Sequence, residues 1–150
     1  MRTLTTLALL ALTLALVVTA SASASATRYQ ATFVEVGGAI PGGSCGSATI
    51  SGAGHVASQC VFFDTCGANC DLRAITFDDG STLVMQESVV GAVLPGRSFA
   101  AGANAPLVLQ ITQTIVHGTG RFAGASGGGT GRINTAADAV ITSSGTITLP

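Results

Sequence analysis

The chain has 150 residues and, after residue 26, carries five arginines, no lysine, five aspartates and two glutamates, a net charge of −2. This length leaves room for one domain after an export signal and rules out a multidomain enzyme. The chain has no basic patch that could neutralise phosphates, and nucleic acid is therefore excluded as a partner.

Residues 1–26 have the features of an export signal. Arg2 supplies a positive charge, an apolar stretch follows from residue 4 to residue 20, and alternating serines and alanines then offer small-residue cleavage sites. We expect cleavage after Ala26, which leaves residues 27–150 as a single secreted or periplasmic domain. An uncleaved membrane anchor is the alternative, but the stretch is short for a membrane span. No later segment of the sequence is long and apolar enough to cross a bilayer.

Short runs that alternate between apolar and polar residues fill the rest of the chain and predict an all-β domain. A first strand places Tyr29, Ala31 and Phe33 on one face and ends at Gly37-Gly38. Further strands are expected at residues 48–50 and 56–63, followed by a disulfide-tied loop at residues 64–71.

Four cysteines lie in this region, and an even number in an exported chain indicates two disulfides. Three pairings are open, and we favour Cys45 with Cys60 and Cys66 with Cys70, because the Gly-Ala-Asn between the last two suits a tight turn. The alternative is zinc bound by Cys60, Cys66, Cys70 and His55. Since this spacing does not match common zinc motifs, we expect no metal.

A hairpin is predicted next, because Asp79-Gly80 stands between the alternating runs 72–77 and 82–90. The expected connection is a type I′ turn, in which both central residues have positive φ. After loops at residues 95–96 and 102–106, a long strand places Leu109, Ile111 and Ile115 on one face. Residue 133 and residues 140–149 belong to the last strands.

About eight short strands are compatible with either a sandwich or a closed barrel. A closed barrel has no edge strands, and this chain has no lysine that could protect an exposed edge. We therefore favour an eight-stranded antiparallel barrel, whose interior is either filled by side chains or holds one small ligand.

The segment from Gly118 to Gly127, Gly-Thr-Gly-Arg-Phe-Ala-Gly-Ala-Ser-Gly, resembles the signature of the allene oxide cyclase and dirigent barrel superfamily. The resemblance implies an eight-stranded antiparallel, calycin-like barrel of the bacterial exported type. Plant members of the superfamily cyclise an epoxide or steer radical coupling inside the barrel. In this signature Gly118, Gly120, Gly124 and Gly127 would allow positive φ or close backbone approach, and Phe122 would plug the core.

Three side chains, Glu35, Glu87 and His117, are candidates for acid–base catalysis. Both glutamates continue the inward phase of their strands, where burial would raise the pKa of a carboxyl group. We favour the alternative that both are solvated, because charged residues are rarely buried unless paired. Either could pair with Arg73, although no sequence argument places them together. His117 follows the phase of Ile111 and is either an inward titrating group or a hydrogen-bonded histidine at the barrel rim.

No convergent catalytic set is evident in the sequence. We therefore predict a non-catalytic exported barrel that binds a small apolar ligand or has an extracellular or envelope surface role, without a cofactor. By analogy with the superfamily, the alternative is a barrel isomerase or cyclase that acts on a small hydrophobic substrate.

Overall fold

The computed structural model describes residues 24–93, 107–135 and 138–150. Its eight strands are hydrogen-bonded in sequence order, and the last pairs with the first, so the predicted closed antiparallel barrel is confirmed. A 3-10 turn, Gly120–Phe122, lies between the sixth and seventh strands. The strands are β1 (Ser25–Ile40), β2 (Gly43–Ser51), β3 (Val56–Gly67), β4 (Cys70–Phe77), β5 (Thr82–Val93), β6 (Val108–Gly118), β7 (Ser126–Asn134) and β8 (Asp138–Leu149).

Most of the predicted export signal lies outside the described residues. Its last two residues, Ser25 and Ala26, pair with Leu149 and Thr148 of β8. Within the described ranges, no helix is long and apolar enough to span a membrane. The predicted loops at residues 95–96 and 102–106 also lie outside the described residues.

Alternate side chains of each strand point into the barrel, because successive residues of a strand face opposite sides. The apolar core occupies the middle of the barrel and the end at which β4 meets β5. Its fully buried members include Phe33, Ile75, Phe77, Leu83, Met85, Ile111 and Ile141. We refer to this end as the closed end and to the opposite end, where β1 meets β2, as the open end.

The glycine-rich segment after β6 seals the closed end. Phe122 is buried, and its ring centre lies 4.7 Å from that of Phe77. The guanidinium of Arg121 lies over both rings and donates hydrogen bonds to the carbonyl of Ala53 at 2.6 Å and the carboxylate of Asp79 at 2.8 Å. The side chain predicted to plug the core therefore does so.

The hairpin between β4 and β5 is confirmed, but the predicted type I′ turn is wrong. Of the turn residues, Gly80 alone has a positive φ, of 78°. The N–H of Phe77 donates to the carbonyl of Ser81, so three residues close the turn. Three-residue hairpin loops combine a type I turn with one left-handed residue, and only that residue favours glycine.

The structure extends β3 and β4 into residues 64–71, where we predicted a disulfide-tied loop. β3 continues to Gly67 and β4 begins at Cys70, and these two residues pair. The connection is thus a tight hairpin, in which Asn69 adopts a positive φ of 60°. Disulfides join Cys45 to Cys60 and Cys66 to Cys70, which is the pairing that the sequence favoured.

Candidate functional site

A cavity of about 360 Å³ occupies the open end of the barrel. Its volume lies in the range of about 300–1,000 Å³ that is usual for small-molecule sites. Every strand contributes to its wall. The apolar wall consists of Val61, Phe63, Val89, Leu109, Ile133 and Ala139, and the polar groups are Glu35, Ser44, Asp71, Arg73, Glu87 and Thr135.

Arg73 is the centre of a buried polar cluster at the floor of this cavity. Its side chain is only 1% exposed, and its Nε and Nη2 atoms donate to the two carboxylate oxygens of Glu87 at 2.7 and 2.9 Å. Nη1 donates to the side-chain oxygen of Gln59 at 2.5 Å, and Nη2 lies 2.6 Å from Oε1 of Glu35. The guanidinium carbon also lies 4.3 Å from the ring centre of Phe33. The cluster therefore fixes Arg73 on several sides.

The two glutamates differ in how well their oxygens are satisfied. Glu87 accepts two hydrogen bonds from Arg73 and a third from the side-chain amide of Gln113 at 2.6 Å. Oε1 of Glu35 is buried and accepts no aligned hydrogen bond, although it forms an ion pair with Arg73. Glu35 is thus the less fully satisfied of the two carboxylates, because its one partner among the described residues is Nη2 of Arg73.

Burial raises the pKa of Glu35 above its usual value, and the nearby Arg73 guanidinium only partly opposes this effect. Burial also raises the pKa of Asp71 at the rim. For Arg73, burial lowers the pKa, but the charges and hydrogen bonds of Glu87 and Glu35 outweigh it and raise the pKa overall. Arg73 therefore stays charged, and the carboxyl of Glu35 takes up a proton more readily than an ordinary glutamate does.

A second layer of polar contacts supports the cluster from below. The hydroxyl of Tyr29 donates to the side-chain oxygen of Gln113 at 2.9 Å, and Gln113 in turn holds Glu87. Burial and then the charge of Glu87 raise the pKa of Tyr29 to about 12. This hydroxyl therefore remains a hydrogen-bond donor at neutral pH.

The structure brings two of the three predicted acid–base candidates together. Glu35 and Glu87 are 5% and 2% exposed, so our preference for solvated carboxylates is wrong, and the reason is that both pair with the buried Arg73. His117 is exposed, because a register shift lies between the pairs Met85–Ile115 and Val84–His117. This irregularity reverses the inward phase that the sequence predicted for His117.

The buried partners Arg73, Gln59 and Gln113 were not predicted as site residues. Two of them stand in the inward phase of alternating runs, Arg73 with Ile75 and Gln113 with Ile111 and Ile115. A charged or amide residue at an inward position of an otherwise apolar face was the sequence signal that could have identified these partners.

Other depressions lie on the outer surface of the barrel. Three of them, of about 440, 530 and 400 Å³, are larger than the open-end cavity, but all three are more open to solvent. The first two are lined mainly by threonine, serine, glutamine and glycine of β1, β7 and β8, and the third by residues of β2 and of the turn to β3, without a buried charge. The open-end cavity is therefore the better candidate site.

All four cysteines form disulfides, which leaves no thiolate for the zinc site considered above and indicates an oxidising compartment. In the parts of the chain that the structure describes, no three His, Cys, Asp or Glu side chains group as metal ligands.

No protein-family model matches the chain, and no curated protein or solved structure matches it either. The assignment of the site therefore depends on its geometry and chemistry.

Proposed function

We propose that the protein is exported through a cleaved N-terminal signal and binds one small, largely apolar molecule in the open-end cavity. The observation that carries this proposal is the cavity itself, with apolar walls and a rigid, charged floor. Ligand sites commonly combine apolar walls with a few fixed polar groups. The disulfides are consistent with an oxidising, extracytoplasmic destination.

A cavity-filling substitution tests this proposal. Ala139 lines the cavity, and its neighbour Val140 points outward and is 38% exposed. We expect Ala139→Phe to abolish binding of a neutral, environment-sensitive fluorescent dye, and Val140→Phe, the matched control, to leave the dye affinity unchanged. Equal binding by both variants and the wild type would place the dye elsewhere, and a wild type that binds no dye would leave a surface role for the barrel.

A barrel isomerase or cyclase is the second candidate. It is favoured by the Glu35 carboxyl, which lines the cavity with a raised pKa, as an acid–base group requires, and by the resemblance of the Gly118 to Gly127 segment. The test is to incubate the protein with small apolar epoxides and analyse the products by mass spectrometry. Turnover that is lost in Glu35→Gln would support an enzyme, whereas equal conversion with and without protein would eliminate this candidate.

A further inference from the structure

The charged groups at the cavity are unbalanced. Three carboxyl groups, of Glu35, Asp71 and Glu87, line it together with a single guanidinium, that of Arg73. Among the described residues no other basic side chain lines the cavity. The empty site therefore carries an excess of negative charge when its carboxyl groups are ionised.

Arg73 is not available to an anionic ligand. Its nitrogen atoms already donate to Glu87 and Gln59 and pair with Glu35, and its side chain is almost completely buried. A ligand carboxylate or phosphate would have to break these contacts, and the displaced glutamate would then remain buried without its partner. Breaking a buried ion pair in this way is strongly unfavourable.

Glu35, in contrast, can accept a hydrogen bond from a cationic ligand. Its side chain is 5% exposed and lines the cavity, and its one partner among the described residues is Nη2 of Arg73, 2.6 Å from Oε1, whereas Glu87 accepts three hydrogen bonds. Buried polar groups normally have hydrogen-bond partners, and a charged donor makes a stronger bond than a neutral one. A cationic donor in the cavity would give Glu35 a second charged partner and would reduce the excess negative charge.

We infer that the natural ligand of the open-end cavity is a small amphiphilic cation, with an ammonium group that binds Glu35 and an apolar body that contacts Val89, Leu109 and Ile133. This inference depends on the proposed function, because it specifies the chemical class of the ligand in the same cavity. A preference for cations would distinguish this barrel from carriers of anionic lipids or acids, which need a free basic side chain.

Three ligands with the same chain, octylammonium, octanol and octanoate, test the inference by calorimetry at pH 7.5. We expect octylammonium to bind at least about tenfold more tightly than octanol, a difference of about 1.4 kcal/mol, and octanoate to bind most weakly. Glu35→Gln should reduce the affinity for octylammonium to that for octanol and leave octanol binding unchanged. Asp78→Asn, which removes a carboxylate from the closed end, is the control and should change neither affinity.

The outcomes separate the two proposals. If octanol or octanoate binds the wild type as tightly as octylammonium, and Ala139→Phe abolishes that binding, the cation inference fails and the cavity proposal stands. If none of the three ligands binds the wild type, both proposals fail. The comparison of ligands on the wild type does not require any variant to fold.

Discussion

Arg73 shows how a single buried charge can organise a site. It lies on β4, and its partners are Glu87 on the neighbouring strand β5 and Glu35 on β1, which does not pair with β4, so the cluster crosses the barrel interior. The strand phase indicated the inward direction of both glutamates, although we expected them to be solvated, and Arg73 was not predicted as a site residue. The sequence could not predict their pairing, because the pairing depends on how eight strands close around one interior.

Replacing Arg73 tests the energetic role of the cluster. We expect Arg73→Met to lower the free energy of unfolding by about 3–5 kcal/mol at pH 7, because it leaves two buried carboxylates without a charged partner. The loss should shrink as the pH falls towards 4 and the carboxylates take up protons. Arg132→Met, at an exposed position on β7, is the control and should stay within about 0.5 kcal/mol. Urea denaturation measures the free energy of unfolding of both variants. A loss in Arg73→Met that does not depend on pH would contradict the role given to the buried carboxylates.

The raised pKa of Glu35 predicts a pH-dependent stability difference. Because the folded protein binds this proton more tightly than the unfolded chain, Glu35 contributes stability that is present below the ordinary glutamate pKa of about 4.3 and is lost as the pH rises through the folded value. The wild type should therefore gain stability relative to Glu35→Gln as the pH is lowered from 7 to 4.5. Arg73, Glu87 and Asp71 face the same carboxyl and remain in both proteins. Parallel stability curves for the two proteins would refute the assignment.

The strands themselves were largely predictable, because alternation of apolar and polar residues marks them directly. The errors arose at irregular positions. The register shift near Val116 moved His117 out of the interior, and the Asp78-Asp79-Gly80 turn used one left-handed residue instead of two. Such bulges change which side chains face inward without changing the composition of the strand.

The glycine-rich segment after β6, which seals the closed end, provides a stability test at the scale of elements. Gly120 has a φ of 59°, and a Cβ atom there would overlap the Ser81 hydroxyl oxygen. Gly38 has a similar φ of 74° but no atom within 4 Å of such a Cβ. We expect Gly38→Ala to cost about 1–2 kcal/mol, the penalty of a left-handed alanine, and Gly120→Ala to cost more because of the contact. Thermal unfolding of both variants measures the difference. An equal loss of stability in the two would show that the segment at Gly120 tolerates the added methyl group.

The barrel as a whole has two unlike ends. Phe122 and Arg121 seal one end, and the other contains a cavity above a charged floor. The sequence predicted closure, because eight strands and the lack of lysine favoured a sheet without edges. It left open whether the interior is filled or holds a ligand, because a cavity depends on the summed volumes of inward side chains from every strand. The chemistry of the site follows from this arrangement rather than from any local motif.

The most direct test of a ligand site at the open end is an NMR titration of the protein with octylammonium, following backbone amide shifts. The account predicts saturable shifts at Glu35, Val89, Leu109 and Ala139, and none at Phe122 or Arg121 at the closed end. Shifts confined to the outer faces of β1, β7 and β8, or no saturable shifts at all, would contradict it.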